Sequence, residues 1–214
     1  VLTFKDVPQE PYGLDDLADP ANAIRDKHIL EETVRYVGDR VAVVAAKDLE
    51  TCQKALELID VDYEELPAVF DVEEALKSDA PKVHDYYVMG GRKIEPRNNI
   101  ATVTTHREGD VEKGFGESEY IFEDEYRTSS PQQVPLERTV VVCKPEADGR
   151  LSVWSTNQSI HGLRYTICNL LGLPFSKVRV NRIFIGGAFG SYIHTRSDEP
   201  MCAPARSSTI SRRR

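Results

Sequence analysis

Gly186-Gly187-Ala188-Phe189-Gly190 is the stretch of this chain whose residue types first suggest chemistry. Glycine lacks a Cβ and tolerates positive φ, so such a run lets backbone amides approach a phosphate or a flat cofactor closely. The same run also makes a plain tight turn. It matches neither the dinucleotide fingerprint G-x-G-x-x-G nor a Walker loop. Gln158 is the second candidate: it sits between a strand-like and a helix-like segment, where its amide either caps the helix or both donates to and accepts from a ligand. His161 suits a surface or packing role as well as a ligand. Glu137, in Pro135-Leu136-Glu137-Arg138, is either an exposed acid or a buried one paired with arginine. The five histidines (His28, His84, His106, His161, His194) form no H-x-x-x-H pair. The four cysteines (Cys52, Cys143, Cys168, Cys202) show no C-x-x-C spacing, so reduced thiols are expected and a zinc site is not. No Ser–His–Asp arrangement follows from the spacing, and the candidate catalytic set within the chain is empty.

The elements that must position these residues are legible around them. Residues 177–184 alternate as a half-exposed strand that delivers the chain into the glycine loop. A helix is expected over 160–171, capped by Ser159, with Leu163, Ile167, Leu170 and Leu171 as its apolar stripe and Gly172 as its stop. Strands are expected over 119–126, 138–143 and 151–155, the last two joined by the turn Glu146-Ala147-Asp148-Gly149. Upstream, 34–37 and 41–45 flank Gly38-Asp39-Arg40 as a hairpin. Asp48 is placed to cap a helix over 49–59. Residues 61–64 alternate like a strand, and 71–77 offer a short helix with acids in its first turn. The stretch 85–110 is turn-rich (Gly90-Gly91, Pro96, Asn98-Asn99) and reads as a connection between two units.

The bulk numbers narrow the function. A chain of 214 residues with 40% hydrophobic content buries a substantial core. Its formal net charge of −8 argues against a nucleic-acid partner, since such binders present a basic face. No apolar run approaches the ~18 residues of a membrane span. Val1 to Lys5 lacks the basic-then-apolar pattern of a secretory leader, so a cytoplasmic setting is expected. Residues 201–214 carry four arginines and no acid, and read as a solvated basic tail.

Several stretches in order resemble one family, the molybdenum hydroxylases of the xanthine dehydrogenase and aldehyde oxidase kind, in their molybdenum-binding (large) subunit. Val34-Arg35-Tyr36-Val37-Gly38-Asp39-Arg40-Val41-Ala42-Val43-Val44 and Val61-Asp62-Tyr63-Glu64-Glu65-Leu66-Pro67-Ala68-Val69 are similar to the family's "VRYVGEPVAVV" and "VDYEELPAV". Both belong to its small α/β hammerhead domain. Gly109 to Phe115 resembles the opening of the first molybdopterin-binding domain, and Pro135-Leu136-Glu137 its "PLEP" strand. Thr156-Asn157-Gln158 falls at its Thr-x-Gln signature, and Gly186 to Gly190 at its "GGGFG".

The resemblance implies an α+β fold with a hammerhead-like domain over 1–85, a connecting segment over 86–108, the first part of a molybdopterin-binding domain over 109–200 and an atypical tail over 201–214. It implies that Gln158, Gly187, Ala188, Phe189 and Gly190 contact a molybdenum cofactor, molybdopterin with or without a second nucleotide. It further implies iron–sulfur clusters and FAD on other domains or subunits, an oligomeric assembly, and hydroxylation of a heterocycle or aldehyde. The family's glutamate base has no counterpart here, so the resemblance implies an N-terminal part of a longer subunit, inactive alone. Ser191-Tyr192-Ile193-His194 departs from the family's usual glycine and lysine, and Val134 stands where histidine is common. The alternative reading is a non-catalytic module that docks to iron–sulfur or flavin subunits.

Overall fold

The computed structural model describes residues 1–14, 16–196 and 198–202. Among the described residues three small sheets, four helices and a helical segment over 198–202 make an α+β chain. Strand β1 (Leu2–Thr3) pairs antiparallel with β4 (Ala42–Val43). Strands β2 (Tyr12–Gly13), β3 (Arg25–Lys27), β5 (Tyr87–Met89) and β6 (Arg92–Ile94) form an antiparallel sheet in that order. The third sheet carries the candidate site. In it β7 (Val141–Pro145) lies antiparallel to β8 (Leu151–Ser155), and β8 lies parallel to β9 (Val178–Asn181).

A parallel pair needs a crossover, and α4 (Ile160–Leu171) supplies it. The helix buries Leu163, Ile167 and Cys168 against Cys143, Leu151, Val153 and Val178 of the sheet. Gly172 ends it in the left-handed conformation at φ 61°, which glycine reaches without a Cβ penalty. Leu170, on another face, joins Met201 in a second apolar cluster with Leu2, Val7, Tyr12, Ile29 and Leu30. One helix therefore ties the N-terminal strands to the site-bearing sheet.

Several expected elements form with their expected caps. Helix α1 (Leu49–Glu57) starts where the Asp48 carboxylate accepts from Thr51 N at 2.8 Å. Helix α2 (Val72–Ala75) starts where Asp71 accepts from Glu73 N and Glu74 N. Helix α3 (Val111–Glu117) was not expected from periodicity; Asp110 caps it by accepting from Lys113 N at 3.0 Å.

Other expectations are corrected. Residues 34–37 form no hairpin with 41–45. The Asp39 carboxylate accepts from Arg35 N and Tyr36 N, curling that segment into a turn, and the free strand β4 pairs with the distant β1 instead. Residues 61–64 and 119–126 are not strands. Tyr63, Tyr120, Phe122 and Tyr126 stand exposed, and an isolated extended segment without a ladder partner gains no sheet stabilisation. Of the basic tail, Met201 and Cys202 are helical, and the rest lies outside the described residues. All four cysteines are free thiols. Among the described residues no helix is long and apolar enough to cross a membrane.

Candidate cofactor site

In an open α/β sheet, ligands bind outside the carboxyl ends of the parallel strands, where the connections diverge. That place is defined here by the ends of β8 and β9. Beyond β8 the chain continues as Thr156, Asn157 and Gln158 before α4 begins; beyond β9 it runs through 182–186 into the glycine turn. A cleft of about 830 Å³ opens between them, lined by Gln158, Ile160, His161, Arg182, Phe184 and Gly186 among others. Its lining contains no carboxylate.

Gln158 is fixed by its backbone and free at its side chain. Its N–H donates to Tyr192 O at 2.7 Å, which draws the returning turn against the strand end. Its residue is exposed, although Asn157 beside it is buried. The side-chain amide thus stands at the cleft as a donor and acceptor.

The glycine turn is pinned on both sides. Gly186 N donates to a Glu137 carboxylate oxygen, and Tyr192 Oη donates to the Glu137 carbonyl. Ser191 N closes the turn on Ala188 O at 2.8 Å. Phe189 and Gly190 both take positive φ, 48° and 92°. At Gly187 an added Cβ would lie 3.3 Å from the Phe189 ring, so glycine here admits the aromatic's position. Among the described residues, no acceptor meets the N–H groups of Gly187, Ala188, Phe189 or Gly190. Ala188 is buried, whereas Gly187, Phe189 and Gly190 are exposed.

Of the residues singled out from sequence, Gln158 and Gly186 therefore line one cleft, and Gly187 to Gly190 continue from its rim without lining it. His161, read from sequence as a surface or packing residue before a ligand, also lines it, as does Arg182, which sequence reasoning left aside. Glu137 resolves between its two readings: it is half-buried, and it pairs with a backbone N–H rather than an arginine. Asn157, not Ser159, organises the start of α4, because its Oδ1 accepts from Ser159 N at 2.7 Å while the Ser159 side chain makes no cap bond.

A buried acid lies directly behind this wall. Glu199 is fully buried, and Ser155 Oγ, Asn157 Nδ2, Arg196 N and Arg196 Nη2 all donate to its carboxylate. Burial raises its pKa above the ordinary carboxylate range, against the lowering effect of those donors and of the Arg196 charge. Nothing local announces this burial: Glu199 precedes a proline in a charged stretch, and only tertiary contacts bury it.

Known proteins resemble this chain over most of its length. The family described as "Molybdopterin cofactor-binding domain" matches residues 93–212. The family described as "Aldehyde oxidase and xanthine dehydrogenase, a/b hammerhead domain" matches residues 1–67. The chain belongs to the molybdopterin cofactor-binding domain family, and the hammerhead match precedes that domain in sequence. It is 32% identical over 217 residues to the probable hypoxanthine oxidase of Escherichia coli K12, covering 89% of this chain and 23% of that protein. It is 31% identical over 207 residues to the xanthine dehydrogenase molybdenum-binding subunit of Escherichia coli O157:H7, covering 95% of this chain and 26% of that one. Among solved structures, a Cu,Mo-CO dehydrogenase superposes with TM-score 0.71 at 26% identity, over 98% of this chain and 28% of its own. The chain spans about a quarter of the length of these curated relatives.

Proposed function

We propose that this chain forms one wall of the molybdenum-cofactor site of a xanthine dehydrogenase-like or aldehyde oxidase-like hydroxylase. Its partners in this reading are further molybdenum-binding domains, an iron–sulfur subunit and an FAD subunit, assembled in the cytoplasm around a heterocyclic or aldehyde substrate. The observation that carries the reading is that the exposed Gln158 and Gly186 line one cleft beyond the carboxyl ends of β8 and β9, with the unpaired N–H groups of Gly187 to Gly190 following Gly186 in the chain.

The residues fit the group. A molybdenum cofactor is rich in anionic oxygen, and neutral donors held by their own scaffold stabilise such oxygens without bringing a competing charge. When bound, the cofactor supplies the two-electron redox chemistry of hydroxylation. This chain supplies position. The Gln158 amide donates through Nε2 and accepts through Oε1, the turn N–H groups offer further donors, and the exposed Phe189 ring flanks the site. No proton-transfer role falls to Glu137 or Glu199, because neither lines the cleft. A residue outside this wall acts as base.

A handful of neutral hydrogen bonds, each contributing net about 1 kcal/mol, does not offset an association cost of several kcal/mol. The isolated 214-residue chain is therefore expected to hold no stoichiometric molybdenum and to oxidise neither purines nor aldehydes. The testing experiment uses the polypeptide carrying this sequence, isolated with its partners from its own cells. Gln158→Ala is expected to lower bound molybdenum and pterin together; unchanged content of both removes Gln158 from the site. A second reading, a non-catalytic docking module, draws on the exposed apolar side chains Phe122, Tyr126 and Leu136. Co-purification with iron–sulfur and flavin subunits in the complete absence of molybdenum would favour it.

A further inference from the structure

We propose that Glu199 is a positioning residue that sets the orientation of Gln158 through Asn157; the proposal rests on the cofactor reading above and deepens it. Four donors converge on one buried carboxylate, and two of them come from the end of β8, the other two from the returning segment. The arrangement welds the strand end that carries Gln158 to the chain that has just left the glycine turn.

Asn157 is the transmitting side chain. Its Nδ2 lies 3.1 Å from each Glu199 oxygen and 3.1 Å from His194 O, and its Oδ1 accepts from Ser159 N at 2.7 Å. A carboxylate only accepts, so it obliges Asn157 to present its NH₂ group to Glu199 and leaves Oδ1 for the start of α4. An amide in place of the carboxylate removes that obligation: its own NH₂ would lie against the Asn157 NH₂ in either orientation, and against an Arg196 donor as well, so donors must separate. Gln158 lies between the two points that depend on this choice, the Asn157 side chain and the Ser159 N–H. Its own N–H is held by Tyr192 O, three residues before the Thr195 whose Oγ1 donates to Thr166 on α4 at 3.3 Å. Arg196 closes the cluster, donating to Thr156 O at 3.2 Å with its guanidinium 5.0 Å from the Tyr192 ring.

Stability alone does not account for the arrangement. A buried, hydrogen-bonded charge costs desolvation that its partners only partly return, and well-packed apolar substitutes are often as stable. What the carboxylate provides is one unique set of hydrogen-bond directions at the strand end.

The test is amide hydrogen exchange on the full 214-residue chain, with Glu199→Gln and the polarity-swapped double variant Glu199→Gln/Asn157→Asp. In the double variant the introduced amide donates to the introduced carboxylate, which still accepts from Ser159 N but no longer donates to His194 O. In Glu199→Gln the Gln158 and Ser159 amides are expected to exchange faster by about tenfold or more, with Val153 and Ile167 changed by less than about twofold. The double variant is expected to restore protection of Gln158 and Ser159 in part, slower in exchange than Glu199→Gln and short of wild type by the lost His194 bond. Unchanged protection at Gln158, equal acceleration at Val153 and Ile167, or failure of the double variant to restore protection would each overturn the proposal. The cofactor reading fails separately, through absence of molybdenum from the wild-type holoprotein, while this exchange pattern stands.

Discussion

Tyr192→Phe isolates one bond that pins the glycine turn. Tyr192 is 1% exposed, and its hydroxyl donates to the Glu137 carbonyl, joining the segment that precedes β7 to the turn that follows β9. The phenylalanine ring fills the same space and keeps the contact with Arg196, so no cavity forms and only the hydrogen bond is lost. A neutral buried hydrogen bond contributes about 1 kcal/mol net, and leaving the Glu137 carbonyl unpaired adds to that, so the loss is about 1–2 kcal/mol. For a chain of this size each kcal/mol lowers Tm by roughly 2–4 °C. The assay is thermal and urea unfolding of wild type and variant, with Tyr126→Phe as control because Tyr126 is 85% exposed. The control is expected to match wild type. Equal stability of Tyr192→Phe and wild type, with unchanged urea slopes, would refute the pinning of the turn by this bond.

Gly13→Ala is expected to destabilise the N-terminal sheet strongly: a Cβ there would stand 2.3 Å from the Ile24 backbone oxygen, which cannot swing aside as a side chain would. The loss, seen by urea unfolding, is about 1–3 kcal/mol or more. The acid groups give opposite pH slopes. Glu199 has a raised folded pKa, so its contribution is full below the ordinary carboxylate pKa and is lost as pH rises through the raised value. Glu31 has a lowered one: burial opposes ionisation, but hydrogen bonds from His28 and the charge of Arg35 outweigh it, so its contribution is lost as pH falls through the lowered value. Glu199→Gln is therefore expected to flatten the decline of stability just above the ordinary carboxylate range, and Glu31→Gln to flatten the decline below it; unfolding free energy measured across pH checks both.

What was legible in the sequence was local. Helices α1 and α4, their Asp48 cap and Gly172 stop, and strands β8 and β9 follow from periodicity and capping chemistry within each segment. The expected hairpin over 34–45 failed because β4 pairs with β1, at Leu2↔Val43 and Thr3↔Ala42, about half the N-terminal unit away, while the Asp39 carboxylate turns the nearer candidate aside. The alternating stretch 119–126 has strand-like composition, yet composition supplies no partner. At the site, Gln158 and the glycine turn were visible as residue types, since an amide and a Cβ-free loop announce themselves. The roles of Glu137, Asn157 and Glu199 were not, because what they do depends on segments 37 to 55 residues apart meeting at one strand end.

The most direct test of the account is the molybdenum and pterin content of the polypeptide that carries this sequence, purified with its partners from its own cells. The cofactor-site reading predicts molybdenum and pterin in equal, near-stoichiometric amounts per chain, both falling in Gln158→Ala. A polypeptide free of both, from cells whose other molybdenum enzymes are fully loaded, would contradict it.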